Sequence, residues 1–429
     1  MRIPNKILLI IFKQNTFIFS KSCSAGTDGW RHFSTMMQKE IKMTVIPNYV
    51  GPMALGLEMG VITPGMDIVD EVFKIIERTH EDNLLKDGDI ICITESIVAR
   101  AQDNYIKVDE VSELIKEKLD LPKSGTVGVV FPITSRNRFS MILESIAKSV
   151  PEGKVIVQFS YPTDEVGNQV ISPEFADNLD KNPITMEDIE DEECIHPITE
   201  VNYIRYYQEI IEETGAESEI ILCNDPKQIV EYDPDGVIAA DIHTRRKTKK
   251  SIQEEIDNCI TLDEICTDGE VCSEWGLLGS NMSSGDRLKL APKNGDKVVS
   301  ELQKKVKKEL GIKIEAIIYG DGAYKDPTSG IYELADPKPA VATTNGLDHF
   351  RRGVKYKYIA DQYYHEEDKD PEEIEKILEQ KKTEEKSEAS MEKEGTTPRK
   401  MEDLLGSLAD LVSGSADAGT PVVLVKNFL

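Results

Sequence analysis

The chain lacks the cysteine pattern of a disulfide framework: its seven cysteines are an odd number without tight pairing, which points to a reducing compartment. No C-x-x-C signature is present. Cys259, Cys266 and Cys272 form a local cluster with no histidine nearby, so buried thiols are expected there rather than zinc. Long hydrophobic runs are missing too. The run Ile7-Leu-Leu-Ile-Ile-Phe12 is too short for a bilayer and is interrupted by Lys13 and Gln14, so no membrane partner is expected. Basic residues are scarce, 51 Lys and Arg against 78 Asp and Glu, for a formal charge of −27. That balance argues against a nucleic-acid partner, and a phosphorylated ligand would need a metal ion or a local basic pocket.

What is present fits a globular protein of two or three domains, with 429 residues of which 39% are hydrophobic. The first forty or so residues differ in kind: basic, nearly free of acids, and carrying Ser20, Ser22, Ser24 and Ser34. They have the composition of an organellar transit peptide, and equally of a translated leader ahead of a start at Met43. Residues 1–42 are therefore set apart from the fold. The expected location is cytoplasmic, or mitochondrial or a related organelle if residues 1–36 are a transit peptide.

From Thr44 onward the pattern is α/β. Helices are expected over Asp67 to Glu77, Val108 to Leu119, Phe139 to Val150, Tyr203 to Thr214, Val298 to Leu310 and Met401 to Val412. Strands are expected over Asp89 to Thr94, Thr126 to Phe131, Lys154 to Phe159, Ser218 to Cys223, Gly236 to Ile242 and Gly419 to Val425. Thr126 to Phe159 makes a βαβ-like unit. The acidic, proline-punctuated stretch Pro173 to Thr199 is expected to be an exposed excursion. His365 to Lys400 is almost all Glu, Lys, Asp and Ser, and is expected to be a disordered or single-helix insertion.

Three segments carry candidate chemistry. In Ile317-Ile-Tyr-Gly-Asp-Gly-Ala-Tyr324 an apolar strand runs into a glycine-flanked aspartate, Asp321. This is either an ordinary Asp-Gly turn or the seat of a divalent cation, with glycines that let a phosphate approach the same ion. Thr134-Ser-Arg-Asn-Arg-Phe-Ser140 opens a helix with Arg136 and Arg138, placed either to hold a substrate carboxylate or phosphate or to make surface ion pairs. His243-Thr-Arg-Arg-Lys-Thr-Lys-Lys250 is a dense basic run, either a seat for a polyanionic acceptor or a solvated loop.

Three pieces together resemble the coenzyme F420-0:L-glutamate ligase family, the GTP-dependent γ-glutamyl ligases of deazaflavin coenzyme biosynthesis. Gly88-Asp-Ile-Ile-Cys-Ile-Thr-Glu-Ser-Ile-Val-Ala-Arg-Ala101 is similar to the family's strand and helix of the form GDVLVVTSKIVSKAEG. Gly276-Leu-Leu-Gly-Ser-Asn281 and the later Asp321 resemble a GVDASN segment followed, one helix on, by a strand ending in SDTFG. Leu408 to Val425 follows the family's closing helix, glycine loop and strand.

The resemblance implies a mixed-sheet α/β (α+β) fold of the γ-glutamyl-ligase kind with a large central insertion. Ligase-like sequence is expected over 44–130, an inserted or divergent α/β region over 131–275, and the core with its metal site over 276–363. An acidic low-complexity insertion over 364–400 and a closing helix and strand over 401–429 complete it. The implied reaction phosphorylates an acceptor carboxylate with GTP (or ATP) and Mg²⁺ or Mn²⁺, after which the amine of L-glutamate attacks the acyl phosphate. A homodimer is implied as well.

Residue by residue, Asp321 falls on a family metal-ligand aspartate and Asn281 on a nucleotide-contacting asparagine. Arg100 stands where the family has a phosphate-contacting lysine, and Glu95 and Ser96 where it shows Ser and Lys. Gly60, Val61 and Ile62 lie in its nucleotide-contacting loop, and Ser413, Gly414, Ser415 and Gly419 in its closing glycine loop. Leu278 occupies the place of the other metal-ligand aspartate and Ser415 that of a metal-binding glutamine. The set is completed by another carboxylate such as Glu274, Asp286 or Asp326, or the site holds one cation, or the chain keeps the fold as a catalytically impaired nucleotide- or metabolite-binding protein. An acidic scaffold working through 365–400 is a third reading.

Overall fold

The computed structural model describes residues 10–13, 16–19, 46–47, 49–321, 324–325, 332–333, 338–351, 353–383, 399–413 and 419–429. The chain divides into two compact units, residues 1–50 and 51–429. In the first, Ile10–Lys13 and Thr16–Phe19 pair antiparallel with Ile10 opposite Phe19, so part of the N-terminal apolar run forms a hairpin.

The second unit is built on two main sheets. The first has five strands in the order Ala340–Thr343, Glu315–Tyr319, Ile90–Thr94, Val422–Lys426, Met53–Leu57. Ile90–Thr94 runs parallel to Glu315–Tyr319 and antiparallel to Val422–Lys426. These strands are apolar at nearly every position because both faces are covered. Ile91, Ile93, Ile318 and Leu424 pack with Val72 and Ile76 of helix Ile68–Glu81 and Leu302 and Val306 of helix Gly295–Leu310. Ile90, Cys92, Ile317 and Val423 pack instead against Leu405 and Ala409 of helix Met401–Ser413. That helix lies very close: a Cβ on Gly406 would sit 2.5 Å from the carbonyl oxygen of Pro339. Asp67 caps the helix Ile68–Glu81 by accepting the Asp70 N–H at 3.0 Å, and Gly311 at φ 75° ends Gly295–Leu310.

The second sheet has six strands in the order Cys259–Thr261, Gly236–Ala239, Thr126–Val130, Lys154–Phe159, Glu217–Leu222, Ile184–Thr185. All its neighbours are parallel except the last pair. The expected βαβ unit is present, with Thr126 opposite Lys154 and helix Phe139–Ser149 between the strands. The rings of Phe139 and Phe159 lie 5.7 and 5.6 Å from that of Tyr207, in a core shared by helices Val108–Lys118, Phe139–Ser149 and Tyr203–Glu213. A third sheet joins Asn281–Met282, Arg287–Lys289 and Tyr105–Lys107.

Two expectations are corrected, and a third is met in one of its two forms. The stretch from Pro173 to Thr199 is docked rather than free: Ile184–Thr185 pairs with the sheet edge, and Ile184, Ile189, Cys194 and His196 are buried. The basic run at His243 is helical over Arg245–Ile252, and its cations pair internally, Arg245 and Arg246 with Asp263 and Lys249 with Glu264. Within His365 to Lys400, the expected single helix is found over Pro371–Thr383, where Ile374 and Leu378 are buried against Ile359 of helix Tyr356–His365; residues 384–398 lie outside the described residues. Cys259 and Cys266 are buried free thiols as expected, and burial pushes both up to about 12. Among the described residues no helix is long and apolar enough to cross a membrane.

Candidate functional site

The register of the five-stranded sheet brings distant segments to one edge. Tyr319 stands beside Thr94, Val422 beside Ile93, and Leu57 beside Val422. The chain therefore leaves the sheet on the same side at Leu57, Thr94 and Tyr319, and enters it there at Val422. A cleft of about 430 Å³ opens at this edge. The departing loop after Leu57 supplies Gly60, Val61 and Ile62; the turn into helix Glu95–Ala101 supplies Glu95, Ser96 and Arg100; the end of Glu315–Tyr319 supplies Gly320 and Asp321. Ser413, Gly419, Thr420 and Pro421 close the far wall, and Asn281 enters from the three-stranded sheet.

The nucleotide candidates that fall on described residues and the metal candidate Asp321 all line this one cleft; Gly414 and Ser415 lie outside the described residues. Arg136 is exposed and does not line it. Arg138 approaches from the central sheet instead. The loop after Thr126–Val130 is fixed by Tyr207, whose hydroxyl donates to the Ile133 carbonyl at 2.6 Å, and by Asp164, which accepts the N–H and hydroxyl of Thr134, each at 2.8 Å. Further along, the Met282 N–H donates to the Asn137 carbonyl at 2.6 Å. From this braced loop the Arg138 guanidinium donates to the carboxylate of Asp321.

Sequence reasoning missed Asp410, which lines the cleft. Its signal is helical spacing: Asp410 and Ser413 stand three apart and share a face of helix Met401–Ser413. That face is held in place by the buried Tyr319 hydroxyl, which donates to the Ser413 hydroxyl at 2.6 Å; burial, chiefly, raises the Tyr319 hydroxyl far above its ordinary value. Glu95, beneath the cleft, accepts from Lys289 at 2.5 Å in a pair that is nearly out of solvent. Leu278 is buried in the central core and does not line the cleft, and Glu274 and Asp286 are exposed and do not line it. Asp326 is outside the described residues.

The cleft thus combines the carboxylates of Asp321, Asp410 and Glu95 with the cation of Arg100. Among the described residues no three His, Cys, Asp or Glu side chains are grouped to hold a metal ion by themselves. This donor set suits a divalent cation that arrives between phosphate oxygens and needs one or two protein carboxylates, as Mg²⁺ commonly does.

A family model described as F420-0:Gamma-glutamyl ligase matches residues 56–427, and so runs through the central region that the motif resemblance leaves uncovered. No curated protein matches the chain. Among solved structures, the crystal structure of CalS11, a calicheamicin methyltransferase, aligns over 63% of this chain and 99% of its own at 11% identity with a TM-score of 0.21, too slight a likeness to bear on fold or chemistry. With the match covering most of its length, the chain belongs to the F420-0:gamma-glutamyl ligase family, a family of carbon–nitrogen bond-forming ligases.

Proposed function

We propose that the chain is a nucleotide- and metal-dependent γ-glutamyl ligase that joins L-glutamate to a carboxylate of a small-molecule acceptor through an acyl phosphate. The observation that carries this reading is the meeting, in one cleft, of candidates spread from Gly60 to Gly419. In the proposed reaction an acceptor carboxylate oxygen attacks the γ-phosphorus of GTP or ATP and the nucleoside diphosphate leaves. The glutamate amine then attacks the acyl carbon, loses a proton, and inorganic phosphate departs. Such chemistry needs charge compensation and alignment more than a side-chain nucleophile. Mg²⁺ or Mn²⁺, when bound, offsets charge on the phosphates. Asp321 and Asp410 would hold that ion, Arg100 would contact the phosphates, and Asn281 with the Gly60 and Gly419 loops would position the nucleotide. The reading extends to a homodimer: Val61, at the rim of the cleft, is 77% exposed, an apolar side chain for a second copy to cover.

Leu278 favours a second reading. A buried leucine stands where the resemblance implies a metal-ligand aspartate, which suits a protein that binds nucleotide without turning it over. Both readings are tested by incubating the chain with GTP or ATP, Mg²⁺ or Mn²⁺, glutamate and candidate acceptors, and following nucleoside diphosphate and a product heavier by one glutamate. Turnover supports the ligase; tight nucleotide binding with no turnover for any acceptor supports the second reading. Absence of nucleotide binding by calorimetry sinks both.

A further inference from the structure

Tyr319 is the last residue of strand Glu315–Tyr319 and stands opposite Thr94, the last residue of Ile90–Thr94. Its side chain is out of solvent, at 1% exposure, and does not line the cleft. Thr94 and Ser413 do line it. The Tyr319 hydroxyl donates to the Ser413 hydroxyl at 2.6 Å, and the Thr94 side chain approaches it from the neighbouring strand. Three hydroxyls, from two strands and the end of helix Met401–Ser413, thus meet behind one wall of the cleft.

The bond between Tyr319 and Ser413 has a direction. Burial, chiefly, holds the Tyr319 hydroxyl far above its ordinary value, so the phenol keeps its proton well past neutral pH. A serine hydroxyl has one proton to give and two lone pairs to accept with. The Ser413 oxygen accepts from Tyr319, and among the described residues its hydroxyl makes no other hydrogen bond. Two donors cannot face each other, so the Ser413 proton is turned away from the phenol. It is left for what the cleft holds. A hydroxyl that accepts one hydrogen bond also becomes a better donor of the next.

The target follows from the neighbours. Ser413 lies one helical turn after Asp410, and Tyr319 lies just ahead of Asp321 in the chain; these are the two carboxylates assigned above to the metal ion. An ion shared between carboxylates and phosphates brings a phosphate oxygen to the same wall. Resting on the ligase reading, we propose that Ser413 donates to a phosphate oxygen of the nucleotide, and that the buried Tyr319 is the positioning residue that turns the Ser413 proton toward it. Tyr319 itself touches no ligand and acts only through Ser413.

The test uses the full chain and two probes, magnesium guanylyl imidodiphosphate and magnesium tripolyphosphate. Each is titrated by calorimetry into the wild type, Ser413→Ala, Tyr319→Phe and the double variant. Ser413→Ala should weaken both probes about tenfold, and Tyr319→Phe about three- to tenfold. The double variant should bind no more weakly than Ser413→Ala alone. A merely structural role for Tyr319 would instead multiply the two losses, and that outcome overturns the proposal. Melting temperature checks that Tyr319→Phe, which keeps the buried ring, leaves the fold intact, and Ser413→Ala tests the donor even where it does not. Unchanged affinity in Ser413→Ala, or a loss for the nucleotide analogue with tripolyphosphate unaffected, also overturns it, as does binding of neither probe to the wild type. If tripolyphosphate binds in a Ser413-dependent way while the nucleotide analogue does not bind, the ligase reading fails and the phosphate contact stands.

Discussion

Arg138 and Asp321, 183 positions apart, share a hydrogen-bonded ion pair at the edge of the cleft. Two residues that the sequence offers for separate tasks, substrate contact and metal ligation, are thus each other's partner. The pair is partly exposed, at 16% and 32% for the two side chains, so it contributes little to stability, ~1 kcal/mol or less. Its consequence falls on binding, because a cation that takes Asp321 must displace a guanidinium.

Asp321→Asn is therefore expected to abolish metal-dependent nucleotide binding while the melting temperature stays close to that of the wild type. Arg138→Ala, which removes that guanidinium from beside the carboxylate, should tighten Mn²⁺ binding by about two- to fivefold. Titration of free Mn²⁺ by its electron paramagnetic resonance signal reads both. Unchanged affinity in Asp321→Asn would mean that the aspartate only makes a turn, and weaker Mn²⁺ binding in Arg138→Ala would mean that the arginine assists the metal.

That pair also marks where sequence reading stops. The strands were legible because sheets covered on both faces produce apolar runs such as Ile90 to Ile93, which propensity and pattern identify together. The cleft was legible in part: Gly60, Arg100, Asn281 and Asp321 are found by resemblance, each on its own segment, and the sheet register then explains why they meet. Asp410 was not, since one acid on an amphipathic helix looks like a solvated position until the face it shares with Ser413 is known. Pairing of Arg138 with Asp321 depends on how two sheets are placed, which no local pattern encodes. The packing of helix Pro371–Thr383 was not legible because Ile374 and Leu378, four apart, are diluted by the charges around them.

The wall of the cleft has no slack at Gly56. A Cβ there would come within 2.8 Å of the Thr420 hydroxyl oxygen and 2.9 Å of its Cβ, and Thr420 lines the cleft. Gly56→Ala should push Thr420 into the cleft and weaken the proposed nucleotide binding by about tenfold, a cost of the size seen for modest overpacking. Adding Thr420→Gly should restore most of it. Calorimetric affinities for the two variants check the idea, which does not survive if the double variant binds as poorly as the single one.

At the opposite end of the same sheet, Lys426 donates to Asp89 in a pair with 3% and 0% side-chain exposure. Asp89 also accepts the Lys86 N–H at 2.8 Å, and Lys426 also donates to the Leu84 carbonyl. The pair locks the last strand to the turn that precedes Ile90–Thr94. Lys426→Met leaves a buried carboxylate without its cation and is expected to cost about 3–5 kcal/mol. The double variant Asp89→Asn, Lys426→Met should recover much of that, because it removes the charge together with its partner. Chemical denaturation of the two variants distinguishes this from simple loss of packing, in which the second substitution would bring no recovery.

Asp241, at the end of strand Gly236–Ala239, gives the fold a pH dependence. The carboxylate is 1% exposed. One oxygen accepts from the hydroxyls of Thr244 and Thr248 at 2.6 and 2.8 Å, and the other has no hydrogen-bond partner. Burial pushes its pKa up to about 6, against the two threonine hydroxyls and with help from the nearby negative charge of Glu165. Glu165 is itself held there by the N–H groups of Ile242, His243 and Thr244, at 2.6 to 2.9 Å. Because the folded state holds this proton more tightly than the unfolded chain, the associated stability is fully present below the ordinary aspartate range near pH 4. It is lost as the pH rises through about 6. The loss is on the order of 3 kcal/mol by pH 7. Asp241→Asn keeps an oxygen for the two threonines and removes the buried charge, so it should be more stable than the wild type at pH 7 and close to it at pH 4. Urea denaturation at pH 4, 5, 6 and 7 checks this. Parallel pH profiles for the two proteins would show that Asp241 is ionised throughout and that its isolated oxygen is served by water.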